Sequence, residues 1–185
     1  NAIIESAHTT GDPGLWFIDR TNASVANPIK GWRMTATNPC GEQPLYDYDA
    51  CCLGSINLSK FVSTQGTYLN WEDLQKTITT AVRFLDNVLT INKYPLDEIT
   101  TMTSNLRRIG LGVMGWADML IMLRIPYASD EAVQLAEEVM TFIRVCSIEA
   151  SEVLGRERGN FPLYDISVWN HPESDNNTMR NATTT

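Results

Sequence analysis

Asn38, Cys40 and Glu42 stand at alternate positions in the run Asn38-Pro39-Cys40-Gly41-Glu42-Gln43-Pro44-Leu45. Side chains two residues apart on a locally extended backbone emerge on one side, so an amide, a thiol and a carboxylate are expected to converge on one small cavity. A thiol offers nucleophilic or redox chemistry, a carboxylate takes protons, and an amide holds a hydroxyl in place. Cys51 follows after a turn-rich connection, with Cys52 beside it. This second thiol either folds back near Cys40 or meets another cysteine from elsewhere in the protein. Pro39, Gly41 and Pro44 punctuate the run too closely for a helix or a central strand, which leaves a shaped loop. A structural turn needs the prolines and glycine, but it does not need Asn, Cys and Glu at alternate places.

The flanking elements must present that loop. Residues 32–37 alternate as a strand leading into it, and residues 53–62 form a short apolar element leading out. Further upstream, residues 2–7 read as the end of a helix, Thr10-Gly11-Asp12-Pro13-Gly14 as a turn, residues 15–19 as a strand or buried edge, and residues 20–31 as a loop. Asn70 caps a helix over residues 71–92, where Leu74, Ile78, Val82, Leu85 and Leu89 recur at helical spacing before Pro95. Helices follow over residues 96–106 and 116–123. Ser129-Asp130-Glu131 opens the longest helix, which reaches about residue 154 and stops at Gly155 or Gly159. Residues 160–165 read as extended, residues 174–177 as a solvated loop, and no internal repeat is evident.

Composition limits the setting. The 185 residues, 43% hydrophobic and 19% charged, suffice for one sizeable core in one domain or part of a larger one. A net charge of -8 argues against nucleic acid as a partner, because phosphate binding needs clustered Lys and Arg. No apolar run reaches the roughly 20 residues of a spanning helix, and residues 1–10 lack the plan of a signal peptide. Four cysteines in this context read as reduced cytoplasmic thiols, some of them catalytic. The first residue is Asn and the chain stops in Arg180-Asn181-Ala182-Thr183-Thr184-Thr185, a polar β-prone run without a closing element, so the sequence reads as a piece of a longer chain.

Other motifs compete for the function. Gly110-Leu111-Gly112-Val113-Met114-Gly115 fits the G-x-G-x-x-G dinucleotide pattern and opens a helix, which raises a dinucleotide-binding oxidoreductase as a distant alternative. An apparent helix precedes it, however, and the acids at the required distance, Asp130 and Glu131, sit at a helix start. A glycine-eased strand-to-helix connection, binding no dinucleotide, is the expectation. Cys40, Cys51 and Cys52 lack the paired spacing of a zinc site, and His8 and His171 are remote, so no metal site is expected. Cys146 falls on the apolar side of the longest helix and reads as core. A noncatalytic thiol-containing interaction domain is the non-enzyme alternative.

Thr37-Asn38-Pro39-Cys40-Gly41-Glu42-Gln43-Pro44-Leu45, together with Cys51-x-Leu53-Gly54-Ser55-Ile56-Asn57-Leu58, resembles the active-site segment of ribonucleotide reductases. Thr10-Gly11-Asp12-Pro13-Gly14-Leu15-x-Phe17-Ile18-Asp19, Arg107-Arg108-Ile109-Gly110-Leu111-Gly112-Val113-Met114-Gly115 and Arg180-Asn181-Ala182-Thr183-Thr184-Thr185 resemble the same family in its chain order. The resemblance spans nearly the whole sequence. It is nearest to the adenosylcobalamin-dependent class, with the large subunit that works beside a separate radical-generating subunit as the alternative.

The resemblance implies an α/β fold in which residues 1–185 supply part of a ten-stranded α/β barrel and its outer helices, with a finger loop at about residues 38–52. It implies that Cys40 becomes a thiyl radical and removes the 3′ hydrogen of the ribose, that Glu42 takes the 3′-hydroxyl proton, and that Asn38 hydrogen-bonds the sugar. Pro39 lies with them in the implied substrate-binding run. Cys51 would be one of two cysteines that supply electrons and close to a disulfide, its partner lying upstream of Asn1. The implied partners are a ribonucleotide, a thioredoxin-like or other dithiol reductant, and the rest of the same polypeptide. Two thiols closing to a disulfide release two electrons, the number needed to replace a C2′ hydroxyl by hydrogen. Cys52 departs from the family pattern and could compete for the disulfide. The substrate-phosphate loop is expected just after Thr185.

Overall fold

The computed structural model describes residues 1–171 and 178–185. In chain order the elements are α1 (Ala2–Thr10), α2 (Ile18–Asn22), β1 (Ala36–Thr37), β2 (Pro44–Leu45), β3 (Cys52–Asn57), a 3-10 turn (Leu58–Phe61), α3 (Trp71–Ile91), α4 (Asp97–Leu106), β4 (Ile109–Met114), α5 (Trp116–Leu123), α6 (Asp130–Arg158) and a second 3-10 turn (Tyr164–Ile166). β1 and β2 pair antiparallel as a short hairpin, and β3 and β4 pair parallel with Cys52 opposite Ile109 and Asn57 opposite Met114. Parallel neighbours need a long crossover, which α3 and α4 supply.

The helix α3 forms where its period predicts. Asn70 Oδ1 accepts a hydrogen bond from Asp73 N at 3.1 Å, a cap worth about 1 kcal/mol. Leu74, Ile78, Val82, Leu85 and Leu89 then line one face and are buried against Ile56, Ile109 and Leu111 of the sheet and Val139, Ile143, Cys146, Ala150 and Leu154 of α6. Each such aliphatic side chain contributes about 1.5–3 kcal/mol on burial. Cys146 packs here as the sequence predicts. Ser129 caps α6 through Ala132 N, and the helix runs past Gly155 to a C-cap at Gly159. Gly155 has another use, because a Cβ there would lie 2.9 Å from Met179 N.

Several expectations are corrected. Residues 15–19 form no strand or buried edge: Leu15 and Phe17 are exposed, and α2 starts at Ile18. Of residues 32–37, only Ala36–Thr37 is strand, since Met34 leaves the line to enter a second core with Ile29, Tyr46, Leu106, Phe161 and Tyr164. Residues 160–165 turn rather than extend, because Phe161 and Tyr164 meet edge to face at 5.7 Å, a spacing that one turn provides. The terminal run is not left open. Ile109 N and Leu111 N donate to Thr183 O and Thr184 O, so residues 182–184 lie along the β4 edge away from β3, running in its direction. The loop expected at residues 174–177 lies outside the described residues.

One ionic hub ties these parts together. Asp86 of α3 is fully buried, and it accepts from Arg107 Nε at 2.9 Å, Arg158 Nη1 at 2.9 Å and Asn181 Nδ2 at 3.2 Å, with Arg180 Nε at 3.4 Å. Arg107, which ends α4, has φ 47°, an unfavourable backbone region for a residue with a Cβ. Its guanidinium is fixed on Asp86, and that contact offsets the strain.

Candidate active site

The expectation of an extended backbone through Asn38, Cys40 and Glu42 is overturned: the run is a turn closing the β1–β2 hairpin. Gly41 N donates to Asn38 O at 3.0 Å, and Gly41 has φ 84°, a left-handed conformation that glycine adopts without strain. Pro39, with φ preset by its ring, occupies the second position of this turn. Asn38 N donates to Gln43 O at 3.2 Å, while Asn38 Oδ1 accepts from Gln43 N at 2.9 Å. The amide that the sequence marks for binding is therefore engaged through its oxygen in holding the loop. Cys40 and Glu42 are exposed at the hairpin end and Asn38 is half-buried.

The second leg of the loop is anchored to the sheet. Tyr46 is buried, its hydroxyl donates to Asn27 Oδ1 and accepts from Ile29 N, and Asp49 N donates back to Tyr46 O at 3.2 Å. Asp49 Oδ2 then accepts from Arg108 Nε at 2.8 Å, and Arg108 stands one residue before β4. The guanidinium also lies 5.6 Å from the centre of the Tyr46 ring, within cation–π range. Burial raises both the Asp49 carboxyl and the Tyr46 hydroxyl above their ordinary values, against the pull of the Arg108 charge.

Cys51 lies where this leg enters β3. All four cysteines are free thiols, and Cys51 Sγ is 3.4 Å from Gln43 Oε1, a weak S–H donor meeting an amide acceptor. Burial pushes the Cys51 thiol up to about 12, with Arg108 opposing and Asp49, Cys52 and Glu42 adding to the rise. Gln43 thus meets Asn38 through its backbone and Cys51 through its side-chain amide, while Cys40 and Glu42 stand exposed at the hairpin end. Cys52 points elsewhere, packing against the core around α3. Its thiol is raised by burial alone.

The glycines of β4 belong to this arrangement. Ile109 and Leu111 face the core, so Gly110 and Gly112 face the other side of the sheet, where the loop returns. A Cβ at Gly110 would sit 3.2 Å from Cys51 Sγ, 3.2 Å from Gln43 Oε1 and 2.7 Å from Leu53 Cδ2. The glycine makes room for the thiol. The dinucleotide pattern therefore has no phosphate turn at Gly110 or Gly112, which lie within the strand, and only Gly115 joins strand to helix. Sequence reasoning missed Gln43, Asp49, Arg108 and the role of Gly110. The available signal was the alternation of glycine with Ile109, Leu111 and Val113, which marks a strand with one face packed and the other closely approached.

Comparison with known proteins agrees. The family model described as "Ribonucleotide reductase, barrel domain" matches residues 1–184. The chain is 50% identical over 186 residues to the vitamin B12-dependent ribonucleoside-diphosphate reductase of Thermoplasma acidophilum, a match covering 100% of this chain and 23% of that protein. It is 46% identical over 168 residues to the protein of the same name from Mycobacterium tuberculosis, covering 90% of this chain and 24% of the relative. Among solved structures, the alpha subunit of the Actinobacillus ureae class Id ribonucleotide reductase superimposes with a TM-score of 0.78 at 25% identity, over 97% of this chain and 34% of that one. The chain thus spans about a quarter of the length of the curated relatives it matches. With its parallel β3–β4 pair, crossover helices and cysteine-bearing hairpin in the places the motifs assign, this chain belongs to the ribonucleotide reductase family and is part of its α/β barrel domain.

Proposed function

We propose that residues 1–185 form a piece of the catalytic barrel of a ribonucleotide reductase that makes 2′-deoxyribonucleotides for DNA synthesis by thiyl-radical chemistry, with residues 38–52 as its finger loop. The observation that carries this reading is a hairpin with an exposed thiol at its end, followed by a second free thiol where the chain enters β3. Cys40 removes the ribose 3′ hydrogen, Glu42 accepts the 3′-hydroxyl proton, Asn38 and Pro39 place the sugar, and Cys51 gives up its thiol hydrogen in closing to a disulfide with an upstream cysteine. The Asn38–Gln43 bonds hold the turn, so the Cys40 thiol starts from a fixed position, as radical transfer over a short distance requires. Two thiols lose two electrons and two protons; the substrate gains both and releases its 2′ oxygen as water.

Adenosylcobalamin is the proposed source of the radical, supported by the names of the relatives 50% and 46% identical to this chain. The exposed Cys40 thiol at the hairpin end fits a bulky group approaching from outside the chain, and Cys40 is the residue here that would meet it. When bound, the cofactor would supply the radical chemistry, and Cys40 would hold the sulfur from which a hydrogen atom is removed. A dithiol such as thioredoxin would reduce the Cys51 disulfide, and the cytoplasm, where such reductants keep thiols reduced, is the proposed location. No described helix is long and apolar enough to cross a membrane.

The test is conversion of a ribonucleoside diphosphate or triphosphate by the full-length protein with adenosylcobalamin and a dithiol. Deoxynucleotide that depends on the cobalamin and disappears in Cys40→Ala is the expected result. Activity independent of cobalamin but dependent on a second protein subunit would replace the cofactor assignment, and product formation by Cys40→Ala would overturn the radical role.

A further inference from the structure

Arg108 is held in an unusual way for a buried ion pair. Its side chain and that of Asp49 have no exposure, yet they share one hydrogen bond, through Nε, and both Nη1 and Nη2 are without a partner among the described residues. A guanidinium kept only to bind a carboxylate presents its fork and makes two parallel bonds. A buried donor left unsatisfied costs about 1–3 kcal/mol, so two idle nitrogens in one side chain call for a partner present only part of the time. The Tyr46 ring offers a face but no lone pair.

The neighbour that gains a negative charge part of the time is Cys51. Cys52 is opposite Ile109 in the parallel register, so Cys51 and Arg108 are cross-strand neighbours one step earlier, with Cys52 N donating to Arg108 O at 3.5 Å. Side chains opposite each other on paired strands emerge on the same face. Gly110, two residues after Arg108 on that face, already touches the space of Cys51 Sγ. The charged and titratable groups acting on this thiol are Arg108 before β4, Asp49 and Glu42 on the loop, and Cys52 on β3, of which only Arg108 is positive.

We propose that Arg108 is a positioning residue for the reducing thiol: its buried, part-unpartnered guanidinium stabilises the Cys51 thiolate whenever exchange with an external dithiol creates it. This rests on the reading of Cys51 as one of the reducing pair. In the step concerned, a thiolate of the reductant attacks the sulfur of the cysteine bonded to Cys51. The S–S bond breaks, a mixed disulfide forms between reductant and that cysteine, and Cys51 departs with the electron pair as a thiolate. It then takes a proton from water. The second thiolate of the reductant displaces the remaining cysteine, so one disulfide is reduced as another forms. A leaving thiolate in a buried place is costly, and the cation beside it speeds departure.

The experiment uses the full-length reductase, pre-reduced and then alkylated with iodoacetamide at a series of mildly alkaline pH values, with Cys51 and Cys52 peptides quantified by mass spectrometry. Arg108→Gln should slow Cys51 alkylation roughly three- to tenfold, a smaller thiolate fraction partly offset by greater nucleophilicity. Cys52, raised by burial and packed towards α3, should be unchanged and serves as the internal control. Arg108→Lys should restore much of the rate. The double variant Arg108→Gln/Asp49→Asn leaves no unpaired buried carboxylate and should still be slowed, by less, because the Arg108 effect exceeds that of Asp49. Turnover driven by a dithiol should fall further than the single-turnover yield of pre-reduced enzyme. An unchanged Cys51 rate in Arg108→Gln would overturn the proposal, and faster alkylation of both cysteines would reduce Arg108 to a packing role. Slowed alkylation with repeated turnover intact in Cys51→Ser would instead remove the redox role of Cys51 while leaving the charge coupling in place.

Discussion

The Asp49 carboxylate and the Arg108 guanidinium meet at 2.8 Å with neither side chain exposed, and this contact fastens the returning leg of the hairpin to the start of β4. Removing one partner strands the other as a buried charge. Asp49→Leu should therefore cost about 3–5 kcal/mol, whereas Asp49→Leu/Arg108→Met should recover most of it, since a buried pair replaced by apolar groups of similar volume is often neutral. Urea denaturation of the two variants measures this. Equal destabilisation by both would show that shape, not charge pairing, holds the leg.

Asp86 carries a heavier load. It neutralises part of the charge of Arg107, Arg158 and Arg180, and it holds Asn181, whose neighbours continue along β4. Asp86→Ala should lower stability by at least about 3–5 kcal/mol, and Arg158→Ala by less, because the Arg158 side chain is 31% exposed and water replaces its partner. The Ile109 and Leu111 amides, which donate to Thr183 and Thr184, should exchange with deuterium faster in Asp86→Ala. Unchanged exchange there would separate the hub from the terminal run.

Gly115 and Gly112 look alike in the sequence but should respond oppositely to alanine. Gly115 has φ 69°, and a Cβ would fall 2.1 Å from Asn57 Oδ1, which accepts from Ser59 N to cap the 3-10 turn. Gly115→Ala should cost about 1–3 kcal/mol or more from backbone strain and overlap. At Gly112 the nearest atoms are 3.9 Å away, so Gly112→Ala should be neutral or stabilising by about 0.5–1 kcal/mol, the ordinary strand preference over glycine. Melting temperatures of the pair decide it.

Period and caps made the helices legible. Asn70, Ser129 and the aliphatic face of α3 act locally, and the structure starts both helices where the sequence does, with α6 running on to Arg158. The motifs at Cys40 and Gly110 likewise pointed to the family. What was not legible depends on residues far apart in the chain. Met34 leaves its strand for a core built partly from Phe161 and Tyr164, and the terminal threonines find an edge whose partner lies some seventy residues earlier. Asp49 and Arg108, 59 positions apart, show no local signal of their pairing. The alternate spacing of Asn38, Cys40 and Glu42 invited a strand-like reading, but Pro39 and Gly41 favour the turn observed. Turn chemistry outweighed periodicity over so short a run.

The division of labour proposed for the thiols makes a distinct prediction for each. Cys40 is exposed at the hairpin end, Cys51 is half-buried beside Gln43, and Cys52 packs towards α3. In the full-length enzyme, Cys40→Ser should abolish turnover, because the serine O–H bond is too strong to yield a usable radical although size is nearly kept. Glu42→Gln keeps the shape of the side chain but cannot take a proton, and loss of a positioned general base lowers the rate by about 10²- to 10⁴-fold. Cys51→Ser should still permit hydrogen abstraction from C3′ while preventing the disulfide, so isotope at C3′ is disturbed without accumulation of deoxynucleotide. Cys52→Ser should turn over normally, since its thiol faces the core and not the loop. The measurement is loss of isotope from substrate C3′ alongside deoxynucleotide yield with an external dithiol. If Cys51→Ser makes product at the normal rate through repeated turnovers, the variant lacking both Cys51 and Cys52 decides the cause: loss of activity there would assign the electrons to Cys52, and retained activity would exclude both thiols from the reduction.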